Sequence, residues 1–194
     1  TAALNSRSLD TVVVSTEDED IYEDATKYGI KVLQRPPHLA LDNVQNIKVV
    51  RHVISELDAA VTHIVLLQPT SPFRSSSDID RCVSLLLEDD VRSVISVTPC
   101  EHHPAKTVQL NDNSEIIGAN GGQDMEARRQ DLTPKAYIRS GSIYCMSRQY
   151  LMEENRRYGG DDSRPYILPP DRTVNIDTPA DLELARYLIR NTPS

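Results

Sequence analysis

Short apolar runs alternate with amphipathic segments along the 194-residue chain, and this alternation constrains the fold more than any other feature. The apolar runs predict strands at 10–16, 30–34, 63–68 and 92–98, and the segments between them predict helices at 17–29, 43–57 and 77–89. Strands that are apolar throughout are buried on both faces, as in a parallel sheet covered by helices. The sequence therefore predicts a three-layer α/β fold with a mostly parallel, doubly wound sheet.

The alternation resumes near the end of the chain, where the last helix has the clearest boundary. The elements predicted there are a strand at 141–146, a short helix at 147–155, a strand at 173–176 and a helix at 179–191. Thr178 is expected to cap the last helix, with Asp181 completing a capping box. The spacing of apolar residues predicts a buried face made of Leu182, Ala185 and Ile189.

Residues 101–137 interrupt the pattern with polar, mixed-charge sequence. A long irregular stretch is uncommon in a compact domain unless it is functional, so we predict an inserted arm at 108–138 within one domain spanning 1–194. The opening stretch "TAALNSRSLD" is typical of the rear half of a helix. We therefore expect about 30 residues, a strand, a loop and the rest of that helix, to precede Thr1.

Charge and composition exclude several kinds of partner. A net charge of -8 argues against nucleic acid or an anionic membrane surface, because counterion release needs clustered Lys and Arg. No apolar run approaches the length of a membrane span. Cys82, Cys100 and Cys145 lack a disulfide or zinc spacing and are expected to be buried thiols. With no secretory signal at its start, the protein is expected in the cytoplasm.

Candidate binding residues follow the predicted strands, at the edge where open parallel sheets bind ligands. The loop after the strand at 63–68 carries Gln68, Thr70, Ser71 and Arg74. Their amide, hydroxyl and guanidinium groups suit a polyhydroxylated or anionic ligand. A Pro-Ser turn that caps the next helix accounts for the same residues equally well.

Isolated charges follow other strands, and each also has a simpler explanation. Arg35 and Asp42 come after the strand at 30–34, although Arg35 alone is typical of a surface charge. Lys106 can hold a phosphate or carboxylate as a point charge, or it is a solvated lysine. The adjacent His102 and His103 face opposite sides of an extended segment, which argues against a shared metal ion. Asp177 is either a metal ligand or a charge at a helix entrance.

Four segments together resemble a known family, the acylneuraminate cytidylyltransferases, also called CMP-sialic acid synthetases. They are "LLQPTSPFR" (66–74), "EHHPAKT" (101–107), "RSGSIY" (139–144) and "NIDTPADLELA" (175–185). Their order and spacing match the family along nearly the whole chain. The last segment is also similar to the tail motif of Kdo cytidylyltransferases, so it is the weakest of the four taken alone.

The resemblance implies a reaction and its partners. The enzyme would join CTP to a nine-carbon 2-keto sugar acid, giving the CMP-sugar and pyrophosphate, with Mg²⁺ or Mn²⁺ bridging phosphate oxygens. Relatives activate neuraminic, legionaminic or pseudaminic acids, and the sequence does not choose among them. An arm of this kind implies a homodimer.

The resemblance also implies roles for individual residues. Asp177 resembles the metal-binding aspartate and, with Lys106, is expected to be catalytic; Asn175 is the second candidate metal ligand. Arg35 resembles the arginine on the cytidine side, with Asp42 in the adjoining loop. The residues expected to contact the sugar acid are Gln68, Thr70, Lys106, Arg129 and Tyr144. Arg129 would approach from the arm across a dimer interface, and Arg128 is the alternative for that role.

Three departures from the family pattern leave other functions open. The Gly/Ser/Lys/Arg-rich loop that cradles the triphosphate does not appear in the sequence. Asn175 stands where many relatives have an aspartate, and Ser140 stands where "NGAIY" has an asparagine. One alternative is a catalytically silent relative that binds a CMP-sugar or a partner. Another is a Kdo cytidylyltransferase, although "QPTSP" favours the sialic acid branch, because Kdo enzymes usually carry an acid in that loop.

Overall fold

The computed structural model describes residues 1–119 and 127–191 and shows alternating strands and helices. The strands are β1 (Val13–Thr16), β2 (Lys31–Gln34), β3 (His63–Leu67), β4 (Ser93–Pro99), β5 (Val108–Leu110), β6 (Ile116–Ala119), β7 (Tyr137–Ser147) and β8 (Ser163–Ile167). The helices are α1 (Glu19–Lys27), α2 (Asn46–Ser55), α3 (Ser76–Leu86), α4 (Arg148–Glu153) and α5 (Pro179–Asn191). The strands and helices predicted for the first half of the chain are present.

The central sheet has the strand order β3-β7-β4-β8, and β1 pairs with β2 in a separate parallel pair. Strand β7 runs antiparallel to both β3 and β4, whereas β8 is parallel to β4. Strands β3, β4 and β8 therefore point the same way, which confirms the mostly parallel α/β prediction with β7 as the exception. Strand β8 was not predicted, because its sequence "SRPYI" lacks an apolar run; its Pro165 suits the edge position.

Side chains of β7 alternate between two apolar cores, one on each face of the sheet. Ile143 and Cys145 point toward α3 and pack in a cluster with Ile79 and Val94. On the opposite face lies a second cluster, which α2 and α4 cover; its buried members are Val50, Ile54, Ile64, Tyr144, Met146, Tyr150 and Leu151. The sheet is thus a middle layer between helices, as predicted.

The buried-thiol prediction is correct for two cysteines and wrong for the third. Cys82 and Cys145 are fully buried next to each other, and the hydrogen bond that the Cys145 thiol donates to Cys82, together with burial, raises the pKa of Cys145. Cys100 is half-buried at the end of β4, where its Sγ donates to the carbonyl of His102 at 2.8 Å. Its sequence neighbours Pro99 and Glu101 are exposed, so this part of the chain lies at the surface.

The start of α5 is as predicted, but its buried face is not. The Thr178 backbone N–H donates to Asp181 Oδ2 at 2.8 Å, and the Asp181 N–H donates to Thr178 Oγ1 at 3.3 Å, which forms the capping box. Ala185 is only 2% exposed, whereas Leu182 and Ile189 are 38% and 66% exposed. Among the three predicted residues, only Ala185 packs against the described part of the molecule. The spacing of apolar residues therefore predicted a wider buried face than α5 has.

Two further segments differ from expectation in detail. Residues 173–176 form no strand; Ile176 N donates to Thr70 O at 2.8 Å, which ties the segment to the loop after β3. The opening residues form a single helical turn, with Asn5 N donating to Thr1 O at 3.0 Å. Strands β5 and β6 form an antiparallel hairpin inside the predicted insert; residues 120–126 of that insert lie outside the described residues.

Candidate functional site

A half-buried arginine fixes the loop that follows β3. Arg74 Nη1 donates to the carbonyl oxygens of Gln68 at 2.7 Å, Ser71 at 2.6 Å and Ser142 at 3.4 Å. Burial lowers the pKa of the Arg74 guanidinium, because desolvation disfavours the charged form. Arg74 therefore braces the loop from beneath and presents Gln68 and Ser71, rather than contacting a ligand itself. The capping explanation is also correct, since Ser75 and Asp78 form a capping box on α3.

A large bulge in β7, at residues 140–143, brings this strand against the loop after β3. Ile95 pairs with Tyr144 and Val97 with Arg139, so four residues of β7 (140–143) face the single residue Ser96. Ser96 Oγ compensates for the lost ladder bonds by accepting from Ile143 N at 2.8 Å and by hydrogen bonding to Ser140 Oγ at 2.6 Å. The bulge thus re-aims the chain toward the loop after β3.

Gly141, at the tip of this bulge, lies within van der Waals reach of three polar side chains. Its φ is +76°, a left-handed conformation that favours glycine. A Cβ built there would lie 3.5 Å from Ser71 Oγ, 3.6 Å from Gln68 Oε1 and 3.7 Å from Asn175 Oδ1. The bulge, the loop after β3 and the segment before α5 therefore meet at one point.

Hydrogen bonds orient Asn175 and Asp177 at this meeting point. Ser71 Oγ, which is buried, donates to Asn175 Oδ1 at 3.0 Å, and Asn175 Nδ2 donates to Asp177 Oδ2 at 2.5 Å. Asp177 is exposed, and Asp181 rather than Asp177 completes the helix cap. Asp177 is thus held by an amide donor while its remaining oxygen stays available to a ligand.

A cleft of about 340 Å³ opens beside Gly141. Its lining consists of Asn46, Gln68, Ile138, Arg139, Gly141, Tyr144 and Arg157. Gln68 and Tyr144, both predicted to contact substrate, are brought together here. Burial raises the pKa of Tyr144, and the positive charges of Arg139 and Arg157 partly offset that rise. The size and the few convergent polar groups are typical of a small-molecule site.

Arg35 and Asp42 lie apart from the lining of this cleft. The Arg35 guanidinium donates to the carbonyl of Ser15 at 2.5 Å and pairs with Glu17 at 3.3 Å, at the carboxyl end of β1. Arg35 Nε and Ser15 Oγ are buried without a hydrogen-bond partner in the part of the chain that the structure describes. Asp42 is exposed in the turn before α2. Arg35 is therefore fixed in place rather than a freely solvated charge.

Lys106 and Arg129 also lie outside the cleft lining. Lys106 is exposed in the 3₁₀ turn Pro104–Lys106. Arg129 Nη1 donates to the carbonyl of Glu101 at 3.0 Å, whereas Arg128 pairs with Asp131 at 2.7 Å. The two candidate arginines of the insert are thus placed differently, with Arg129 held against the loop after β4.

The histidine pair has a structural explanation. His103 Nδ1 accepts from Ala105 N at 3.2 Å, and its Nε2 lies 3.0 Å from the carbonyl oxygen of Pro134. Among residues 1–119 and 127–191, no group of three His, Cys, Asp or Glu side chains could hold a metal ion. His103 therefore ties the loop after β4 to the segment before β7.

Sequence reasoning did not assign roles to Asn46, Arg139 or Arg157. Arg139 lies inside the motif "RSGSIY", one residue before Ser140, so the motif itself was a usable signal. Arg157 follows α4 and approaches Tyr144 only through the fold: its guanidinium carbon lies 5.3 Å from the centre of that ring. No spacing in the sequence links the two positions.

Comparison with solved structures defines the fold class. The fold matches a CMP:2-keto-3-deoxy-manno-octonic acid synthetase complexed with CTP, with a TM-score of 0.68 and 16% identity over 97% of this chain and 84% of that one. It also matches a 4-diphosphocytidyl-2C-methyl-D-erythritol synthase from Anaerococcus prevotii, with a TM-score of 0.67 and 12% identity over 98% and 83% of the chains. The chain thus has the nucleotidyltransferase fold of the nucleotide-diphospho-sugar transferase type.

Within that class, the chain belongs to the cytidylyltransferase family, whose model matches residues 1–189. It is 29% identical to the pseudaminic acid cytidylyltransferase of Campylobacter jejuni, over 97% of this chain and 82% of the relative. It is 29% identical to the N-acylneuraminate cytidylyltransferase of Escherichia coli, over 95% of this chain and 43% of the relative. The CMP-N,N'-diacetyllegionaminic acid synthase of Legionella pneumophila is also 29% identical, over 97% and 82%.

These findings confirm the family resemblance and the CTP-dependent cytidylyltransferase class that the sequence predicted. Among the described residues, no helix combines the length and apolarity needed to cross a membrane.

Proposed function

We propose that this cytidylyltransferase joins CTP to a nonulosonic acid, a nine-carbon 2-keto sugar acid, and releases the CMP-sugar and pyrophosphate. The observation that carries the proposal is the cleft in which Gln68 and Tyr144 meet, next to the hydrogen-bonded series Ser71, Asn175 and Asp177. The named activities of the relatives from Campylobacter, Escherichia and Legionella support the same substrate class.

The geometry suits a reaction that depends on positioning. The anomeric hydroxyl of the sugar acid would attack the α-phosphorus in line, and catalysis would come from alignment and charge neutralisation. The Gln68 amide can exchange hydrogen bonds with sugar hydroxyl or amide groups, and the buried Tyr144 forms one wall of the cleft. Thr70, whose carbonyl accepts from Ile176 N, is tied to the segment that carries Asp177.

Asp177 and its neighbours fit a magnesium ion that arrives with the nucleotide. Mg²⁺ typically binds through one or two carboxylates, keeps several waters and takes its other ligands from substrate phosphates. Asp177 supplies one exposed carboxylate, and Asn175 lies beside it. Asp177 would hold the ion, with Asn175 as the adjacent amide. A bound Mg²⁺ or Mn²⁺ would supply neutralisation of the phosphate charge.

The remaining predicted residues suit the charged parts of the substrates. The Arg35 side chain is 26% exposed at the carboxyl end of β1, where its guanidinium can donate to a nucleotide, and Asp42 is exposed nearby in sequence. Lys106 and Arg129 lie on the turns that follow β4 and precede β7. We assign Arg35 and Asp42 to CTP, and Lys106 and Arg129 to substrate anions.

A homodimer is part of the proposal. The exposed apolar side chains of the β5–β6 hairpin support it: Val108 is 45%, Leu110 60%, Ile116 68% and Ile117 61% exposed. Contiguous exposed apolar residues mark interaction surfaces, and closed two-fold dimers are the commonest assemblies. A second copy of this chain would cover the hairpin and bring Arg129 toward the neighbouring cleft. Cytoplasmic location stays a prediction from the sequence.

A substrate panel tests the proposed reaction. Purified protein is incubated with CTP, Mg²⁺ and either an N-acylneuraminic, a pseudaminic, a legionaminic or an eight-carbon Kdo acid. Pyrophosphate release is followed, and the product is identified by mass. We expect a CMP-sugar from at least one nine-carbon acid and none from Kdo. Turnover of Kdo alone would instead assign the Kdo reaction, and binding of a CMP-sugar without turnover would assign a silent relative.

A further inference from the structure

Two arginine and two tyrosine side chains lie in contact beside the cleft, and three of the four line it. The guanidinium carbon of Arg139 lies 5.2 Å from the ring centre of Tyr158. That of Arg157 lies 5.3 Å from the ring centre of Tyr144 and 5.7 Å from that of Tyr158. The two rings are 5.7 Å apart and tilted by 36°. We call these four residues the Tyr–Arg stack. Strand β7 contributes Arg139 and Tyr144, and the segment after α4 contributes Arg157 and Tyr158.

The Tyr–Arg stack contains two positively charged side chains and no carboxylate. The Arg139 guanidinium donates to the Tyr158 hydroxyl, and the Arg157 guanidinium is held by the faces of the two rings. Within residues 1–119 and 127–191, neither arginine forms an ion pair with Asp or Glu. By contrast, Arg92 and Arg172 each pair with a carboxylate. In a chain of net charge -8, two neighbouring arginines facing a cleft without an acid indicate an anionic ligand.

Stacking prepares Arg157 for such a ligand. A guanidinium over an aromatic face is attracted by the ring and loses side-chain freedom. Its planar edge, with several N–H donors, then stays open for bidentate binding of a carboxylate. The rest of the lining is neutral in character, with Asn46, Gln68 and Ile138, and suits hydroxyl, amide and apolar groups. The anion is therefore bound at the arginine end, and the neutral part of the ligand lies toward Gln68.

We propose that Arg157 binds the carboxylate of the sugar acid, and that Tyr144, Tyr158 and Arg139 position its guanidinium. The inference rests on the proposed function and deepens it, because it names the residue that distinguishes an acid from a neutral sugar. Phosphates of CTP are the other anions present, and the Tyr–Arg stack would bind them through the same chemistry. A test must therefore measure the two substrates separately.

The test compares Arg157→Gln with Arg156→Gln in the protein used for the panel. Arg156 is the adjacent arginine, exposed and absent from the cleft lining, and serves as the matched control. Calorimetry gives the Kd of the nine-carbon acid that the wild-type protein uses, and initial rates give the KM of CTP. We expect Arg157→Gln to weaken acid binding roughly tenfold to hundredfold, with the KM of CTP within about twofold of wild type. Arg156→Gln should change neither quantity.

Other results would contradict the inference. Unchanged acid binding in Arg157→Gln, or an equal loss in Arg156→Gln, would overturn it while leaving the proposed reaction intact. A selective rise in the KM of CTP would assign the stack to phosphate and also overturn it. A folded wild-type protein that neither binds nor converts any acid of the panel would refute the proposed function itself, and this inference with it. Circular dichroism of each variant separates loss of binding from loss of fold.

Discussion

At the scale of single residues, the orientation of Asn175 gives it a different role from an aspartate at the same position. Its amide nitrogen faces Asp177, and its amide oxygen accepts from Ser71. The donor fixes one oxygen of the Asp177 carboxylate, so Asn175 positions the carboxylate while contributing no charge. An aspartate would add a second negative ligand but would lose that hydrogen bond.

Asn175→Asp should therefore change the metal dependence. Two carboxylates at this point favour a divalent cation, because Mg²⁺ prefers charged oxygen ligands. We expect the Mg²⁺ concentration for half-maximal pyrophosphate release to fall roughly threefold to tenfold. Asn175→Ala removes the donor without adding charge and should raise that concentration instead. Equal Mg²⁺ dependence in all three proteins would refute the positioning role of Asn175.

At the scale of elements, a buried ionic cluster fixes the segment that carries Asn175 and Asp177. Arg172 donates to Asp78, in the first turn of α3, at 2.7 Å, and the Tyr166 hydroxyl of β8 donates to the same carboxylate at 2.8 Å. Asp78 is only 1% exposed. Because Arg172 precedes Asn175 by three residues, the cluster links α3 and β8 to the candidate metal site.

The cluster makes a prediction about alkaline pH. Burial, followed by the hydrogen bond to Asp78 and its negative charge, raises the pKa of Tyr166 to about 12. A raised folded-state pKa means that the Tyr166 contribution to stability is fully present below its unfolded pKa of about 10, and is lost as pH rises through about 12. An ultraviolet titration should show a tyrosine ionising near pH 12, and Tyr166→Phe should remove that step. A titration unchanged by Tyr166→Phe would contradict the assignment.

Elements were predictable from sequence where burial and local pattern agree. Strands β1 to β4 are apolar runs, and the α5 cap is a local sequence signal, so both were predicted correctly. Strand β8 and residues 173–176 depend on tertiary pairing: the polar "SRPYI" joins the sheet beside β4, whereas the more apolar "TVNI" forms no ladder. The spacing of apolar residues also cannot show which side of α5 is covered, because that depends on the elements that pack against the helix.

The site was predictable only in part, for a related reason. Gln68 directly follows β3, and Tyr144 of β7 pairs with Leu66 near the end of β3, so the two side chains meet in the cleft. Arg157 reaches Tyr144 through a short helix and a turn, and local sequence does not specify that path. The bulge that places Gly141 arises from the pairing of β4 with β7, which appears only in the folded sheet.

At the scale of the whole molecule, the proposed dimer makes the apolar hairpin a testable interface. Leu110 and Ile116 are register partners in the hairpin and are 60% and 68% exposed. Glutamate at both positions would place charges in a buried contact, which costs several kcal/mol. Light scattering should show a dimer for the wild type and a monomer for Leu110→Glu/Ile116→Glu.

A matched control uses exposed apolar residues on another part of the surface. Tyr187 and Ile189 of α5 are 62% and 66% exposed, and glutamate there should leave the dimer intact. Dissociation by the α5 variant, with a stable dimer in the hairpin variant, would move the interface away from the hairpin. A monomeric wild type would refute the dimer altogether.

We propose that cytidylyl transfer depends on Asp177 as the ligand of the catalytic metal. The most direct measurement is pyrophosphate release from CTP and the preferred nine-carbon acid, with Mg²⁺, by the wild type, Asp177→Asn and the exposed control Asp171→Asn. We predict at least roughly a hundredfold loss of kcat in Asp177→Asn, because the metal-binding charge is removed, and near wild-type rates in Asp171→Asn. A folded Asp177→Asn variant that keeps the wild-type rate and Mg²⁺ dependence would contradict the claim.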